Sequence, residues 1–331
     1  MMMTGRETSA PASEQRMSES EPTVLVADLG GTTCRFAMLG SQGRPERIVR
    51  FSNKEVSDAA AAIDRYVTEV GVRPRAGVLA VAAPVHGDEV TLTNCAWQFR
   101  LGELRRQLGF SQLFAINDFE AVAWALLALG PEQLRAIGPQ RASGSGNRVA
   151  CGPGTGLGVA ALISENGSWR VLASEGGHVS FGPADMEEEP VFTRLRAMAG
   201  AISAETVLSG PGLSRLHQAL HADAGPLASE EIIGRAKTGD AASRATVSMF
   251  VRLLGRFAGD VALVFKAVGI YLAGGVGEGI APLIDAREFR RAFEAHRPYE
   301  QLLATIPTFV ITERTPGLTG CAVYAQKRIG A

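Results

Sequence analysis

The chain has 331 residues, 46% of them apolar, and its 33 basic residues balance 34 acidic ones. A chain of this size can bury a large core and by length alone holds two domains. Its balanced charge lacks the footprint of a nucleic-acid or anionic-membrane binder, which leaves a small-molecule ligand as the expected partner, with no nucleic acid and no membrane.

Residues 1–22 are rich in Ser, Glu, Thr and Pro and contain no apolar stretch, so they read as a disordered extension and not as a secretory signal. Met17 is an alternative start. No run approaches the ~18 apolar residues that cross a bilayer. Cys34, Cys95, Cys151 and Cys321 stand far apart without a C-x-x-C pair, which argues against a disulfide framework or metal knot and fits a reduced, cytoplasmic setting.

Three strands are expected at about 23–29, 34–40 and 46–51, followed by a helix over 58–70 whose Ile63, Tyr66, Val67 and Val70 share a face. Next come an apolar strand at 78–83, a short strand at 90–93, a helix near 100–108, a strand at 112–116 and a helix over 119–129. The pattern then restarts, with strands at 148–152, 157–163 and 168–173. Helices fill the middle of the chain, the longest over 241–267 with Phe250, Leu253, Leu254, Phe257, Val261 and Val264 as its buried stripe. Strands at 270–273 and 308–311 and a helix from about 317 complete the order. This is an α/β chain with an internal duplication, and a ligand should bind between the halves.

Each half has a glycine-rich turn after its first strand, Asp28-Leu-Gly-Gly-Thr-Thr33 in one and Gly152-Pro-Gly-Thr-Gly-Leu-Gly158 in the other. Glycine lets successive backbone N–H groups converge on one anion, as phosphate binding requires. Neither turn is a P-loop, since no G-x-x-x-x-G-K-[ST] occurs, and neither has the acidic ribose reader of a dinucleotide site. Between the turns, Asp118 follows a strand in Ile116-Asn-Asp-Phe119. A carboxylate there can take the proton of a hydroxyl attacking a γ-phosphate. It can equally be a helix N-cap.

The segments Asp28-Leu-Gly-Gly-Thr, Leu92-Thr-Asn-Cys-Ala-Trp97, Ile116-Asn-Asp-Phe119, Gly154-Thr-Gly-Leu-Gly158, Glu175-Gly-Gly-His178, Ser203-Ala-Glu205, Ser209-Gly-Pro-Gly-Leu213, Ala273-Gly-Gly275 and Pro316-Gly-Leu318 occur in this order. In them the chain resembles the bacterial ATP-dependent glucokinases of the hexokinase, actin and Hsp70 superfamily, from about Thr23 to Ala325. The resemblance implies two ribonuclease H-like lobes, a smaller one of 23–128 plus 313–331 and a larger one of 129–312, with a ligand cleft between them.

It further implies phosphorylation of the glucose 6-hydroxyl by Mg·ATP, with Asp118 as general base. Asn117, Asp118, Glu175, His178 and Glu205 would contact the sugar, and Asn94 is a weaker candidate for the same role. Ala27, Asp28, Leu29, Gly30, Gly31 and Thr32 would meet the phosphates from one lobe and Gly154, Thr155 and Gly156 from the other. Gly274 and Gly275 would lie near the adenosine, and Asp28 would help place Mg²⁺. A homodimer is also implied. Taken alone, His178 reads as a structural histidine and Glu205 as an acid favouring a helix N-terminus.

Thr33, Cys95-Ala96 and Thr206 depart from the commoner Asn, His-Thr and Arg of these enzymes. Another hexose such as mannose, fructose or glucosamine is an alternative substrate, and a sugar-independent actin-like ATPase or a non-catalytic sugar sensor is an alternative class. The sensor would need a helix-turn-helix that residues 1–22 cannot form.

Overall fold

The computed structural model describes residues 23–93, 95–140, 144–221, 223 and 225–330. The extension expected over 1–22 and the sugar candidate Asn94 lie outside the described residues.

The first half runs β1 (Val24–Leu29), β2 (Thr33–Leu39), β3 (Pro45–Ser52), α1 (Ala59–Val70), β4 (Ala76–Val81), β5 (Glu89–Thr91), β6 (Gln98–Arg100), α2 (Leu101–Leu108), β7 (Gln112–Asn117) and α3 (Asp118–Ala125). The second begins with β8 (Leu134–Ala136), β9 (Arg148–Pro153), β10 (Leu157–Glu165) and β11 (Ser168–Ser174). It continues through α4 (Glu189–Ala199), α5 (Ala204–Val207), α6 (Gly210–Leu220), α7 (Ser229–Thr238) and α8 (Ala241–Val264). Then come β12 (Gly269–Leu272), α9 (Gly275–Ile280), α10 (Ala286–Glu294), α11 (Glu300–Thr305), β13 (Thr308–Ile311) and α12 (Pro316–Ile329).

The strands form two main sheets, ordered β3-β2-β1-β4-β7 and β11-β10-β9-β12-β13-β8. Each begins with an antiparallel three-strand meander whose first strand then pairs in parallel with a later one. The expected duplication is therefore a repeat of topology, and each unit is ribonuclease H-like. β4 reads as an unbroken apolar run, and β1 as one interrupted only by Asp28, because helices cover both faces of a parallel core.

Two helix expectations need correction. The helix over 119–129 stops at Ala125, and that over 241–267 stops at Val264. Val264 is 75% exposed, because the chain turns through Phe265 and Lys266 before another element covers it. The rest of the stripe, Phe250, Leu253, Leu254, Phe257 and Val261, is buried as expected.

One apolar cluster joins the two sheets. It takes Val24, Val78 and Ile116 from the first, Ala150, Ala160 and Tyr271 from the second, Ala121 and Trp124 from α3 and Leu318 and Cys321 from α12. Helices α3 and α12 cross so closely that a methyl group at Gly320 would collide with the Ala121 carbonyl. The same helix begins against the first phosphate-type turn: Gly317 lies beside Asp28, and the Cys321 thiol donates to the Ala27 carbonyl at 3.5 Å.

Candidate active site

The parallel pairing of β1, β4 and β7 sets Asp28 opposite Ala80 and Val81 opposite Asn117, so Asp28 and Asp118 emerge at the same, C-terminal end of the parallel strands. On β2, Arg35 pairs with Asp28 in the antiparallel register and its guanidinium donates to Oδ2 at 3.1 Å. Burial nevertheless pushes the Asp28 carboxyl above its ordinary value, outweighing the lowering by Arg35.

Asn117 caps α3. Its Oδ1 accepts from the N–H groups of Phe119 (2.9 Å) and Glu120 (3.3 Å), while its Nδ2 donates to the Ala83 carbonyl at 3.2 Å. The N-cap reading of Asp118 is thus replaced: Asp118 is the first helical residue, and one of its oxygens accepts from the Phe119 N–H at 2.8 Å. Asn117 can cap because its carbonyl oxygen faces the free N–H groups that open any helix. The Asp118 carboxyl is pushed up to about 7, first by burial and next by the charge of Asp28, against the lowering by its hydrogen bonds.

The first turn is braced by a residue outside every motif. The N–H of Asn53 donates to the Thr32 carbonyl at 3.0 Å, and its side-chain amide donates to the Gly30 carbonyl at 2.8 Å. Gly30 and Gly31 are half-buried and Thr32 is exposed at the tip. The matching turn from the second sheet is closed by Gly154 N–H to Gly156 carbonyl (2.8 Å) and held from α6 by Gly210 N–H to Gly154 carbonyl (2.8 Å), with Thr155 exposed. Gly274, at φ 93, packs against Pro153 and brings Gly275 beside this turn; the left-handed backbone favours glycine there.

The remaining candidates gather at the far end of that turn. Glu205 accepts from the Leu157 N–H at 2.8 Å, and the same oxygen lies 3.9 Å from His178 Nε2. His178 ends a single helical turn capped by Glu175, whose carbonyl accepts from the His178 N–H at 2.9 Å. Both side chains are exposed. Phe119, next to Asp118, lies flat on Gly158, where any side chain would strike its ring, so the α3 start and the second turn touch. The structure thus joins Glu175, His178, Glu205 and Gly154–Gly158 in one unit and Asp28 and Asp118 in another.

Among the described residues no group of three or more His, Cys, Asp or Glu is arranged to hold a metal. Asp28 still suits Mg²⁺, which is commonly held by one or two carboxylates together with substrate phosphates and water.

The glucokinase family model matches residues 25–328. The chain belongs to the glucokinase family. It is 40% identical to the glucokinase of Chelativorans sp. (strain BNC1) over 314 residues, covering 92% of this chain and 91% of the relative. The glucokinase of Mesorhizobium japonicum is likewise 40% identical over 316 residues, again covering 92% of this chain and 91% of that one. Among solved structures, a glucokinase from an Antarctic psychrotroph aligns with TM-score 0.83 at 32% identity, over 92% of this chain and 99% of that one. The glucokinase of Balamuthia mandrillaris in complex with glucose aligns with TM-score 0.79 at 20% identity, over 94% and 95% of the two chains, which speaks for the fold. The chain is therefore a kinase of the actin-like ATPase fold.

Within this glucokinase-family site, the three departures find local partners. Thr206 closes a capping box with Ser203, each side chain meeting the other's backbone N–H at 3.1 and 3.3 Å. Cys95 accepts from the Asn53 amide at 3.5 Å, and Thr33 accepts from Arg50 at 3.3 Å. Arg35 and Asn53 escaped the sequence reading. Arg35 could have been found from the strand pairing, since it lies opposite Asp28, but nothing in the sequence points from Asn53 to Gly30.

No helix among the described residues is long and apolar enough to cross a membrane. All four cysteines are free, and Cys34, Cys151 and Cys321 are buried.

Proposed function

We propose that the chain transfers the γ-phosphoryl group of Mg·ATP to the 6-hydroxyl of glucose, with Asp118 as the general base. The observation that carries this reading is a carboxylate with one oxygen fixed by the Phe119 N–H and a pKa raised to about 7, at the C-terminal end of the parallel strands that also bears Asp28. A base is most effective when its pKa lies near the working pH.

Glucose lies between the lobes, with its hydroxyls on Asn117, Glu175, His178 and Glu205, and the side-chain amide of Asn117 stays tied to Ala83 and the α3 start. The oxygen of the 6-hydroxyl forms a bond to the γ-phosphorus as the bond to the β,γ-bridging oxygen breaks. Its proton passes to Asp118, and ADP leaves. Backbone N–H groups of the two glycine turns hold the phosphates in line, and Asp28 would hold the Mg²⁺, which would supply neutralisation of their charge. The lobes, taken as 23–128 with 313–331 against 129–312, close to exclude water, which would otherwise accept the phosphoryl group. The enzyme acts in the cytoplasm and pairs as a homodimer.

The test is the initial rate of ADP formation from Mg·ATP without sugar and with glucose, mannose, fructose or glucosamine, for wild type and Asp118→Asn. Strong stimulation by glucose, lost in the variant while glucose still binds, supports the reading. Better turnover of another hexose would reassign the substrate, and sugar-independent turnover would move the chain to the ATPase class.

A further inference from the structure

The run Asp185-Met-Glu-Glu-Glu189 reads as a solvated acidic stretch, yet its fourth residue is not solvated: Glu188 is only 2% exposed. Its Oε2 accepts from Arg256 of α8 at 2.7 Å and from the Ala184 N–H at 2.8 Å, and its Oε1 lies 3.4 Å from Arg252 Nε. Arg256 does more than neutralise this charge. Its second terminal nitrogen donates to the Gly182 carbonyl at 2.6 Å, and its guanidinium stacks over the Phe181 ring at 4.4 Å. One side chain thus grips Phe181, Gly182 and Glu188, all in the segment that directly follows His178.

That segment also reaches the other proposed sugar residue. The Ala204 N–H donates to the Val179 carbonyl at 2.9 Å, the Phe181 N–H donates to the Ile202 carbonyl at 3.0 Å, and Ser180 pairs with Ser203 between them. Glu205 follows immediately. His178 and Glu205 are therefore the free ends of one small pairing, and α8 clamps that pairing from behind. Buried ion pairs are weak contributors to stability, since desolvation cancels much of their attraction, so a fork of this kind is better explained by the geometry it fixes.

We propose that Arg256 is a positioning residue for the sugar site, setting the relative placement of His178 and Glu205 and thereby sugar affinity and discrimination between epimers. This rests on the glucokinase reading above. Glu188 is its buried counter-charge, and neither residue touches substrate.

The test compares wild type, Arg256→Lys, Arg256→Met and the paired Arg256→Met with Glu188→Met, by KM for glucose, KM for Mg·ATP, the glucose-to-mannose ratio of kcat/KM, and melting temperature. Arg256→Met is expected to raise the glucose KM by about tenfold or more while the Mg·ATP KM stays within about twofold, and Arg256→Lys to recover part of the loss. The paired change removes Arg256 together with its counter-charge and leaves Arg252 paired with Glu187 at 2.8 Å, so it should regain melting temperature without regaining glucose affinity or epimer preference. Return of the glucose KM together with stability would overturn the proposal, as would wild-type sugar kinetics in Arg256→Lys. If Arg256→Met does not fold, the lysine and paired variants decide. Absence of glucose phosphorylation in the wild type would instead sink the functional reading, a separate outcome.

Discussion

The charge of Asp28 at the end of β1 bears on Asp118, which follows β7, across the intervening β4, and adds to burial in holding the Asp118 carboxyl up at about 7. A base must be ionised before it can accept a proton. The rate is therefore expected to climb with pH up to about 7 and level off above it, its midpoint falling below about 7 to the extent that Mg²⁺ on Asp28 offsets that charge. Asp118→Asn should lose about 10²- to 10⁴-fold in kcat, the usual worth of a general base. A flat profile between pH 5.5 and 8.5 would remove Asp118 from that role.

The same carboxyl should weaken the fold. Its pKa is raised from the ordinary 3.8 to about 7, so the native state resists ionisation that the unfolded chain accepts freely. The penalty is absent below about 3.8, grows as pH rises and is complete above about 7, where it amounts to at most ~4 kcal/mol. Asp118→Asn should accordingly melt higher than wild type at pH 8 and nearly level with it at pH 4. Equal differences at the two pH values would contradict this account.

Phe119 lies on Gly158, and a methyl group there would drive into the ring. Gly158→Ala should displace the start of α3, and with it Asp118, lowering kcat by about tenfold or more because small errors of placement are costly in catalysis. Adding Phe119→Leu should recover part of the rate by making room. Wild-type kcat in the single variant would show that this contact does not position the base.

Gly320→Ala puts a methyl group against the Ala121 carbonyl at the crossing of α3 and α12, where backbone faces backbone and no flexible side chain can move aside. Overpacking of this kind costs typically ~1–3 kcal/mol, and the rigid partner places the expectation at or above ~3 kcal/mol. Urea unfolding measures it directly. A midpoint within error of wild type would mean that the two helices can separate freely.

The repeated strand order was legible because it rests on apolar runs and glycine turns, both local signals. What escaped was decided by distant partners or by a choice between equals. Asn117 and Asp118 are adjacent and both can cap a helix; it is Asn117 that does, its amide held by the distant Ala83 carbonyl while its oxygen meets the Phe119 and Glu120 N–H groups. Glu188 hides in an acidic run because its burial depends on Arg256, 68 residues away. The three-residue strand β8 has no periodicity to detect and exists only as the antiparallel neighbour of β13.

Helix α12 is made after the whole second unit, yet it lies beneath the opening turn of the first, with Gly317 against Asp28 and Cys321 against Ala27. During synthesis α3 can cover part of that face of the first sheet early, but the part beneath Asp28 stays open until residue 316 and those beyond have left the ribosome. A chain that stopped before α12 would carry every proposed catalytic side chain and still lack the floor under Asp28, so the fourteen residues of the final helix complete a turn laid down at the start of the fold.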